Sequence, residues 1–228
     1  MVTMLLAKRN ATLILACGDS TKGIEAANEI KEATKNKEAY FMKLDLGDLS
    51  SISEFVKEFK SKFKRLDILV HNGGVFNEEY KVNKHGFEDT FAVNYFGPVY
   101  LTSLLLDVLE ASKPSRIIYT SSKFHVRAKI DWDDLQSEKT KIALVSIYST
   151  SKLAGMLYFK ELNRITEPKG VKIVSVHPGV VRSQMNSSFS GAIRRLIYWT
   201  LYPFWWYCTK NLEQGRSADN TLYLFIRS

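Results

Sequence analysis

The chain has 228 residues, 45% of them hydrophobic and 25% charged, which suits one globular domain and argues against two full domains or a disordered tail. Its two cysteines, Cys17 and Cys208, sit among apolar residues and its four histidines are scattered, excluding a disulfide scaffold and leaving no grouping with metal-ligand spacing. Lys and Arg outnumber Asp and Glu by 32 to 24, a net charge of +8 with no aromatic base-stacking motif beside it, so nucleic acid is not an expected partner while peripheral contact with an anionic membrane stays open.

Met1–Leu6 runs directly into Lys8 and Arg9, so no signal peptide is read there. Beyond it the apolar period switches repeatedly between two and three-to-four residues. Thr12–Cys17 reads as a strand, Thr21–Lys35 as a helix and Ala39–Leu44 as a strand ending at Asp45. Ser51-x-x-Glu54 has the form of a capping box opening a helix with Ile52, Phe55, Val56, Phe59 and Phe63 on one face. Leu66–Val70 is a buried strand closed by Gly73-Gly74, and Phe87–Glu110 a long helix. Arg116–Thr120 is a strand, Tyr148–Arg164 a helix, Val171–Val176 a strand stopped by Pro178-Gly179, and Ser217–Arg227 a last helix. Such alternation predicts a doubly wound α/β domain, its strands mostly parallel and joined by right-handed crossovers. It is read as one domain over 1–228.

Ligands of such sheets bind beyond the carboxyl ends of the strands, so the residues there are the informative ones. Tyr148 and Lys152 stand four apart and share a helix face. A phenol with an ordinary pKa near 10 is a poor base at neutral pH, and a nearby ammonium favours its phenolate. The spacing alone means little, since Tyr80-x-x-x-Lys84 repeats it in a polar loop. What distinguishes Tyr148 is its place after the strand ending at Ser121-Ser122, where a serine can donate a hydrogen bond to a substrate carbonyl. Asn94 can hold a water or a backbone group that completes a proton relay.

Together these residues resemble the short-chain dehydrogenase/reductase family, and within it the retinol-dehydrogenase-like branch. The marks are Leu6–Cys17, Leu44-Asp45-Leu46, His71-Asn72-Gly73-Gly74, Phe91–Asn94, Tyr119–Ser122, Asp134–Ser137, Tyr148–Lys152 and His177-Pro178-Gly179. The resemblance implies a catalytic set of Tyr148 as acid/base, Lys152 as its cationic partner and ribose contact, Ser122 as carbonyl donor and Asn94 as fourth member. It implies cofactor contacts at Asp45 and Leu46 beside the adenine, at Asn72 and Gly74, and at Pro178, Val180 and Val181 beside the nicotinamide.

The departures concern the other end of the cofactor. The family's first strand and its glycine-rich turn precede the helix matching Met1–Lys8, yet no glycine stands before Gly18. Loss of that central strand would leave two strand edges unpaired. Two readings follow: a part of a longer enzyme, truncated at the N-terminus and also short at the C-terminus, or a shortened protein with a compromised cofactor site. The branch's usual Arg is Gly18 here, and the acidic residue of NAD-preferring members is Cys17. NADP(H) is expected ahead of NAD(H), with Lys22 a substitute cation. His71 and Gly73 replace the usual Asn and Ala, changes expected to loosen that turn.

The expected activity is therefore hydride transfer between a nicotinamide cofactor and an alcohol/carbonyl pair on a lipophilic substrate such as a retinoid, steroid or isoprenoid. The alternative is a dehydrogenase-like binding protein that has lost its phosphate turn. Residues 191–210, holding the aromatic run Leu196–Cys208, read either as a substrate lid or as a membrane-facing segment. The resemblance further suggests a homodimer on the cytoplasmic side of endoplasmic reticulum or lipid-droplet membranes. The sequons at Asn10 and Asn186 read as chance matches.

Overall fold

A computed structural model of the chain describes residues 2–139, 143–177 and the backbone of 222–226. Helix α1 (Val2–Ala7) leads to β1 (Thr12–Cys17), α2 (Ser20–Thr34), β2 (Ala39–Lys43), α3 (Leu49–Lys62) and β3 (Ile68–His71). Next come α4 (Asp89–Phe91), a π-helical turn (Ala92–Phe96) and α5 (Gly97–Ala111), then β4 (Ser115–Thr120) and a 3₁₀ turn (Lys123–Arg127). Helix α6 (Leu144–Thr166), a 3₁₀ turn (Glu167–Lys169), β5 (Val171–Val176) and β6 (Leu222–Ile226) complete the described elements.

The six strands form one sheet in the order β2-β1-β6-β3-β4-β5. β1 pairs with β2, and β3 with β4 and β4 with β5, all in parallel. β6 alone runs antiparallel, with β1 on one side and β3 on the other. This is the doubly wound α/β architecture expected from the alternating periods.

The strands bury both faces, as parallel sheets do. From β1, Ile14 and Ala16 join a cluster with Phe55 and Phe59 of α3, Leu101, Leu105 and Leu109 of α5, Ile117 and Tyr119 of β4 and Phe159 of α6. Leu13 and Leu15, on the opposite face, pack with Ala7, Ala27, Ile30 and Val70, so α1 and α2 cover that side. Fully burying one such Leu, Ile or Phe side chain contributes about 1.5–3 kcal/mol. The helical run Asp89–Ala111 is 23 residues long and contains an 18-residue window of mean hydropathy 1.3, enough to span a bilayer by length and composition alone. It is a core helix here: Leu101, Leu105 and Leu109 are all 0% exposed against the sheet.

Four local expectations change. Leu222–Ile226 is a strand rather than part of a helix. Its sequence, Leu-Tyr-Leu-Phe-Ile, is too short and too uniformly apolar for periodicity to distinguish the two, and its aromatic and branched residues suit a sheet. In consequence β1 and β3 present no bare edges, because β6 fills the space between them. The helix after β2 is capped by Asp48, which accepts from the Ser50 N–H at 3.0 Å. Ser51 lies inside that helix, its Oγ accepting from the Asp45 N–H at 3.0 Å. Asp48 also accepts from Lys84 Nζ at 2.7 Å and contacts His85 Nε2 at 2.9 Å, fastening the loop before α4 to the start of α3. Finally, α6 starts at Leu144, placing Tyr148 one turn inside it.

Candidate active site

The carboxyl ends of β3 and β4, the π-helical turn and α6 converge on one group of side chains. β3 ends at His71 and the chain turns through Asn72, Gly73 and Gly74. A Cβ on Gly74 would stand 3.0 Å from both Asn94 Oδ1 and Lys152 Nζ. Glycine is what lets this turn approach them so closely.

Asn94 is fully buried, and every polar group of its side chain is engaged. Oδ1 accepts from the Val75 N–H at 2.8 Å, while Nδ2 donates to Val75 O at 2.9 Å and to Ser151 Oγ at 3.1 Å. Its carbonyl accepts from the Tyr119 hydroxyl at 3.1 Å. The π-helical turn around Asn94 is the kind of local irregularity that re-aims a residue within an otherwise regular helix.

Tyr148 is flanked by two aromatic rings, Phe76 at 5.5 Å and Phe124 at 6.2 Å between centroids, both edge-on. Its phenol makes a side-chain hydrogen bond with Ser122. Ser122 is buried at the end of β4 and caps the following 3₁₀ turn, its Oγ accepting from the Phe124 N–H at 3.4 Å. The neighbouring Ser121 Oγ is buried with no partner among the described residues, although its backbone N–H donates to Val176 O at 2.8 Å.

Lys152 is 4% exposed. Its ammonium donates to Thr120 O at 3.2 Å and lies 5.9 Å from the centre of the Tyr148 ring. Burial pulls its pKa down to about 8. Burial also raises the Tyr148 phenol above its ordinary 10, with the Ser122 hydrogen bond acting in the opposite sense. This corrects the sequence expectation of a lowered phenol. Sequence spacing indicated the ammonium nearby, but it could not weigh that cation against the loss of water around both groups.

The remaining sequence candidates divide. Asp45 is exposed at the end of β2, where its Oδ1 accepts from the Gly47 N–H at 2.9 Å. Leu46 is buried in the core, its carbonyl only 2.2 Å from where a Cβ on Gly97 would stand, so a side chain at the start of α5 would collide with it. Both follow β2, and Leu46 packs against the start of α5, just after the π-helical turn that carries Asn94. Asn72 and Gly74 lie in the turn against that group. Pro178, Val180, Val181 and the segment 191–210 fall outside the described residues.

His71 is not loose. It is 1% exposed, with Nε2 2.8 Å from Thr102 Oγ1 and the ring 5.2 Å from Phe159. Two supporting residues escaped the sequence reading. Ser151 donates to Tyr148 O at 2.7 Å while accepting from Asn94, which ties α6 to the π-helical turn. Tyr119 reaches from β4 to the Asn94 carbonyl across Gly155, where a Cβ would come within 2.1 Å of its hydroxyl. The three-residue offset of Ser151 from Tyr148 was a readable signal, whereas the Tyr119–Gly155 fit had none.

A nicotinamide cofactor is the group that this fold implies, and its two halves meet different surroundings. Around the Tyr148–Lys152 pair, a buried ammonium, a glycine turn in close approach and the unpartnered Ser121 hydroxyl suit its nicotinamide and ribose. In doubly wound sheets the diphosphate lies in the crevice where the strand order reverses, cradled by a glycine turn at a helix N-terminus. Here the reversal falls between β1 and β3, and the element in that position is β6.

A doubly wound sheet with a buried Asn, a strand-end Ser and a Tyr-x-x-x-Lys on the facing helix defines a class, and sequence comparison gives its name. The short chain dehydrogenase family model matches residues 1–193, and the chain belongs to this family. Within it the chain is similar to retinol dehydrogenase 13 of Homo sapiens, 41% identical over 228 residues that cover 97% of this chain and 66% of that protein. It is likewise 41% identical to retinol dehydrogenase 13 of Mus musculus over 204 residues, covering 86% of this chain and 61% of the relative. The chain thus spans less than two thirds of the length of these curated relatives.

Among solved structures, an uncharacterised protein from Mycobacterium paratuberculosis superposes with a TM-score of 0.66 at 32% identity, covering 78% of this chain and 63% of that one. The alcohol dehydrogenase of Thermococcus sibiricus, complexed with 5-hydroxy-NADP, superposes with a TM-score of 0.64 at 21% identity, covering 83% and 74%. That second likeness concerns the fold alone.

Proposed function

We propose that this chain carries the catalytic site of an oxidoreductase that interconverts an alcohol and a carbonyl on a lipophilic, retinoid-like substrate. The observation that carries this reading is the phenol of Tyr148, hydrogen-bonded to Ser122 between two aromatic walls and one helical turn from the buried Lys152. A nicotinamide cofactor, when bound, supplies or accepts the hydride. Ser122 donates a hydrogen bond to the substrate oxygen, and Tyr148 gives that oxygen its proton in reduction or removes it in oxidation. The Lys152 ammonium favours the phenolate that results. Asn94 acts at one remove, gripping Val75 on both sides and so holding the turn that carries Gly74.

The apolar substrate is supported by the Phe76 and Phe124 walls, Phe124 being 49% exposed, and by the similarity to retinol dehydrogenases. Between the two cofactors the reading favours NADP(H). Lys22, whose ammonium is 3.6 Å from Asp19 and largely exposed, is a cation in the first turn of α2, just after β1. Asp45, Leu46, Asn72 and Gly74 are read as cofactor contacts, as are Pro178, Val180 and Val181. Residues 1–228 are read as one catalytic domain, with 191–210 as lid or membrane-facing segment. A homodimer at the cytoplasmic side of the endoplasmic reticulum or of lipid droplets completes the proposal.

A second reading, a dehydrogenase-like protein that binds without turnover, has one observation in its favour: β6 stands where the cofactor's phosphate turn is needed. The deciding experiment measures NADPH- and NADH-dependent turnover of retinal and retinol by the chain and by Tyr148→Phe. A fall in kcat/KM of about 10²–10⁴-fold with unchanged cofactor affinity is expected. Equal turnover by both would overturn the assignment of Tyr148, and absence of cofactor binding by the parent chain would favour the second reading.

A further inference from the structure

Ser122 supplies the hydroxyl that meets Tyr148, yet it stands just outside the sheet. The pairing of β4 with β5 ends at Thr120↔Val176, and Ser121 adds one more bond through its N–H to Val176 O. From Ser122 onward the chain is carried by the 3₁₀ turn Lys123–Arg127, none of whose residues is buried. Apolar burial therefore does not hold this turn, and 3₁₀ hydrogen bonds are a weak support for a run of five residues. Ser122 itself is extended, with φ −137° and ψ 148°, and any swing of the peptide after it moves the turn relative to its Oγ.

The Ser122 carbonyl is gripped twice by one residue. The His125 N–H donates to Ser122 O at 3.1 Å, and His125 Nδ1 lies 2.5 Å from the same oxygen. A carbonyl only accepts, so Nδ1 carries the proton and the imidazole is the donor. The same turn brings the Phe124 N–H to Ser122 Oγ at 3.4 Å and the Phe124 ring edge-on to Tyr148. With a donor on one side of the hydroxyl, its own proton is left to point at the phenol. Past the turn, Thr150 Oγ1 donates to Lys129 O at 3.2 Å, which ties the following segment to α6.

We propose that His125 is a positioning residue of this site: its imidazole locks the turn after β4 and so sets the Ser122 hydroxyl and the Phe124 wall around the Tyr148 phenol. This rests on the catalytic reading given above, and His125 acts on the reaction through Ser122. A hydrogen-bond donor to the developing oxygen charge works only from the right place, and a small misplacement slows turnover by up to about a hundredfold. With no buried side chain in the turn, the imidazole is the anchor that the turn would miss most.

The test is a double-variant cycle joined to amide hydrogen exchange. His125→Leu keeps bulk and removes the ring donor, whereas His125→Asn puts an amide N–H where Nδ1 stood. In turnover of retinal with NADPH, His125→Leu should lower kcat about tenfold to a hundredfold, and His125→Asn should restore most of the loss. Ser122→Ala should lower kcat about 10²–10³-fold, and adding His125→Leu to it should cost less than about threefold more, because a residue acting through a hydroxyl has nothing to act on once that hydroxyl is gone. Losses that multiply independently would overturn the proposal. Without cofactor, the amides of Phe124 and His125 should exchange faster in His125→Leu than in the parent chain and slow again in His125→Asn. Unchanged exchange would overturn the proposal even with the catalytic reading intact. A fall in the urea midpoint of His125→Leu would make the histidine a general support of the fold and would overturn it too. Absence of turnover by the parent chain with either NADPH or NADH would instead overturn the catalytic reading, and the positioning role with it.

Discussion

The two flanks of β3 are built on different principles. Toward β4 and α6 the chain is held by side chains: Asn94 grips Val75 and Ser151, Tyr119 reaches the π-helical turn, and Phe159 stacks on Tyr119 at 4.7 Å. Toward β1 the link is the backbone ladder of β6 together with apolar packing, Ile14 and Ala16 clustering with Leu69 and Ile117, and Leu13 and Leu15 with Val70. Specific side-chain networks fix a unique geometry, as a proton-transfer site requires. Apolar packing fixes position less narrowly than a hydrogen-bonded side-chain network does. The catalytic flank is therefore expected to be rigid and intolerant of substitution, and the seam toward β1 more tolerant.

The largest expected effect tests that rigidity. Phe159 is 1% exposed, stacked between the rings of Tyr119 and His71. Phe159→Ala should cost about 3–5 kcal/mol through lost burial and a cavity that this network cannot close. Urea unfolding gives the number. A loss below about 1.5 kcal/mol would mean that the flank repacks freely, and the contrast with the seam would fail.

A smaller effect of opposite sign comes from Lys152. Its ammonium is buried and donates to the Thr120 carbonyl, and its pKa falls from the ordinary 10.5 to about 8. Between those values the unfolded chain holds the proton more tightly, so stability rises with pH across that window and the penalty is fully present below pH 8. Lys152→Met should therefore raise stability at pH 7 by roughly 1–3 kcal/mol, seen as a higher Tm, while removing turnover. The gain should vanish above pH 10.5, where both states are neutral. A destabilised Lys152→Met would show that the lysine is structural rather than held at a cost for chemistry.

Much of this was legible in the sequence for physical reasons. β1 and β5 were readable to the residue because short apolar runs bounded by polar or glycine turns have few alternatives. The Tyr148, Ser122, Asn94 and Lys152 group was legible through the family resemblance of its motifs; the sheet architecture pointed only to Ser122, just beyond a strand end, and the four-residue spacing only to the shared face of Tyr148 and Lys152. Two kinds of feature were hidden. One is the balance of burial against charge, which reversed the expected shift of Tyr148 and depends on how many layers surround it. The other is long-range pairing: nothing in Leu222–Ile226 names Ile14 and Leu69 as its neighbours.

The most delicate test of the catalytic flank is its response to acid. His71 is buried beside Thr102 and Phe159, its Nδ1 without a partner among the described residues, and burial together with the charge of Lys152 pushes its pKa down to about 3. The unfolded chain takes up a proton near pH 6.5, which the folded chain refuses until about 3. Between these values the unfolded state binds more protons, so stability falls as pH is lowered, with a limiting slope of about 1.4 kcal/mol per pH unit. Glu88 acts in the other direction, its raised pKa favouring the folded state as it is protonated. The His71 contribution is therefore isolated by difference. His71→Asn should flatten the stability profile between pH 6 and 5 relative to the parent chain, and the two profiles should run parallel above pH 7. Parallel profiles throughout would mean that the imidazole takes a proton without unfolding, which would require water to reach the core beside Phe159 and would remove the rigidity that distinguishes this flank from the seam.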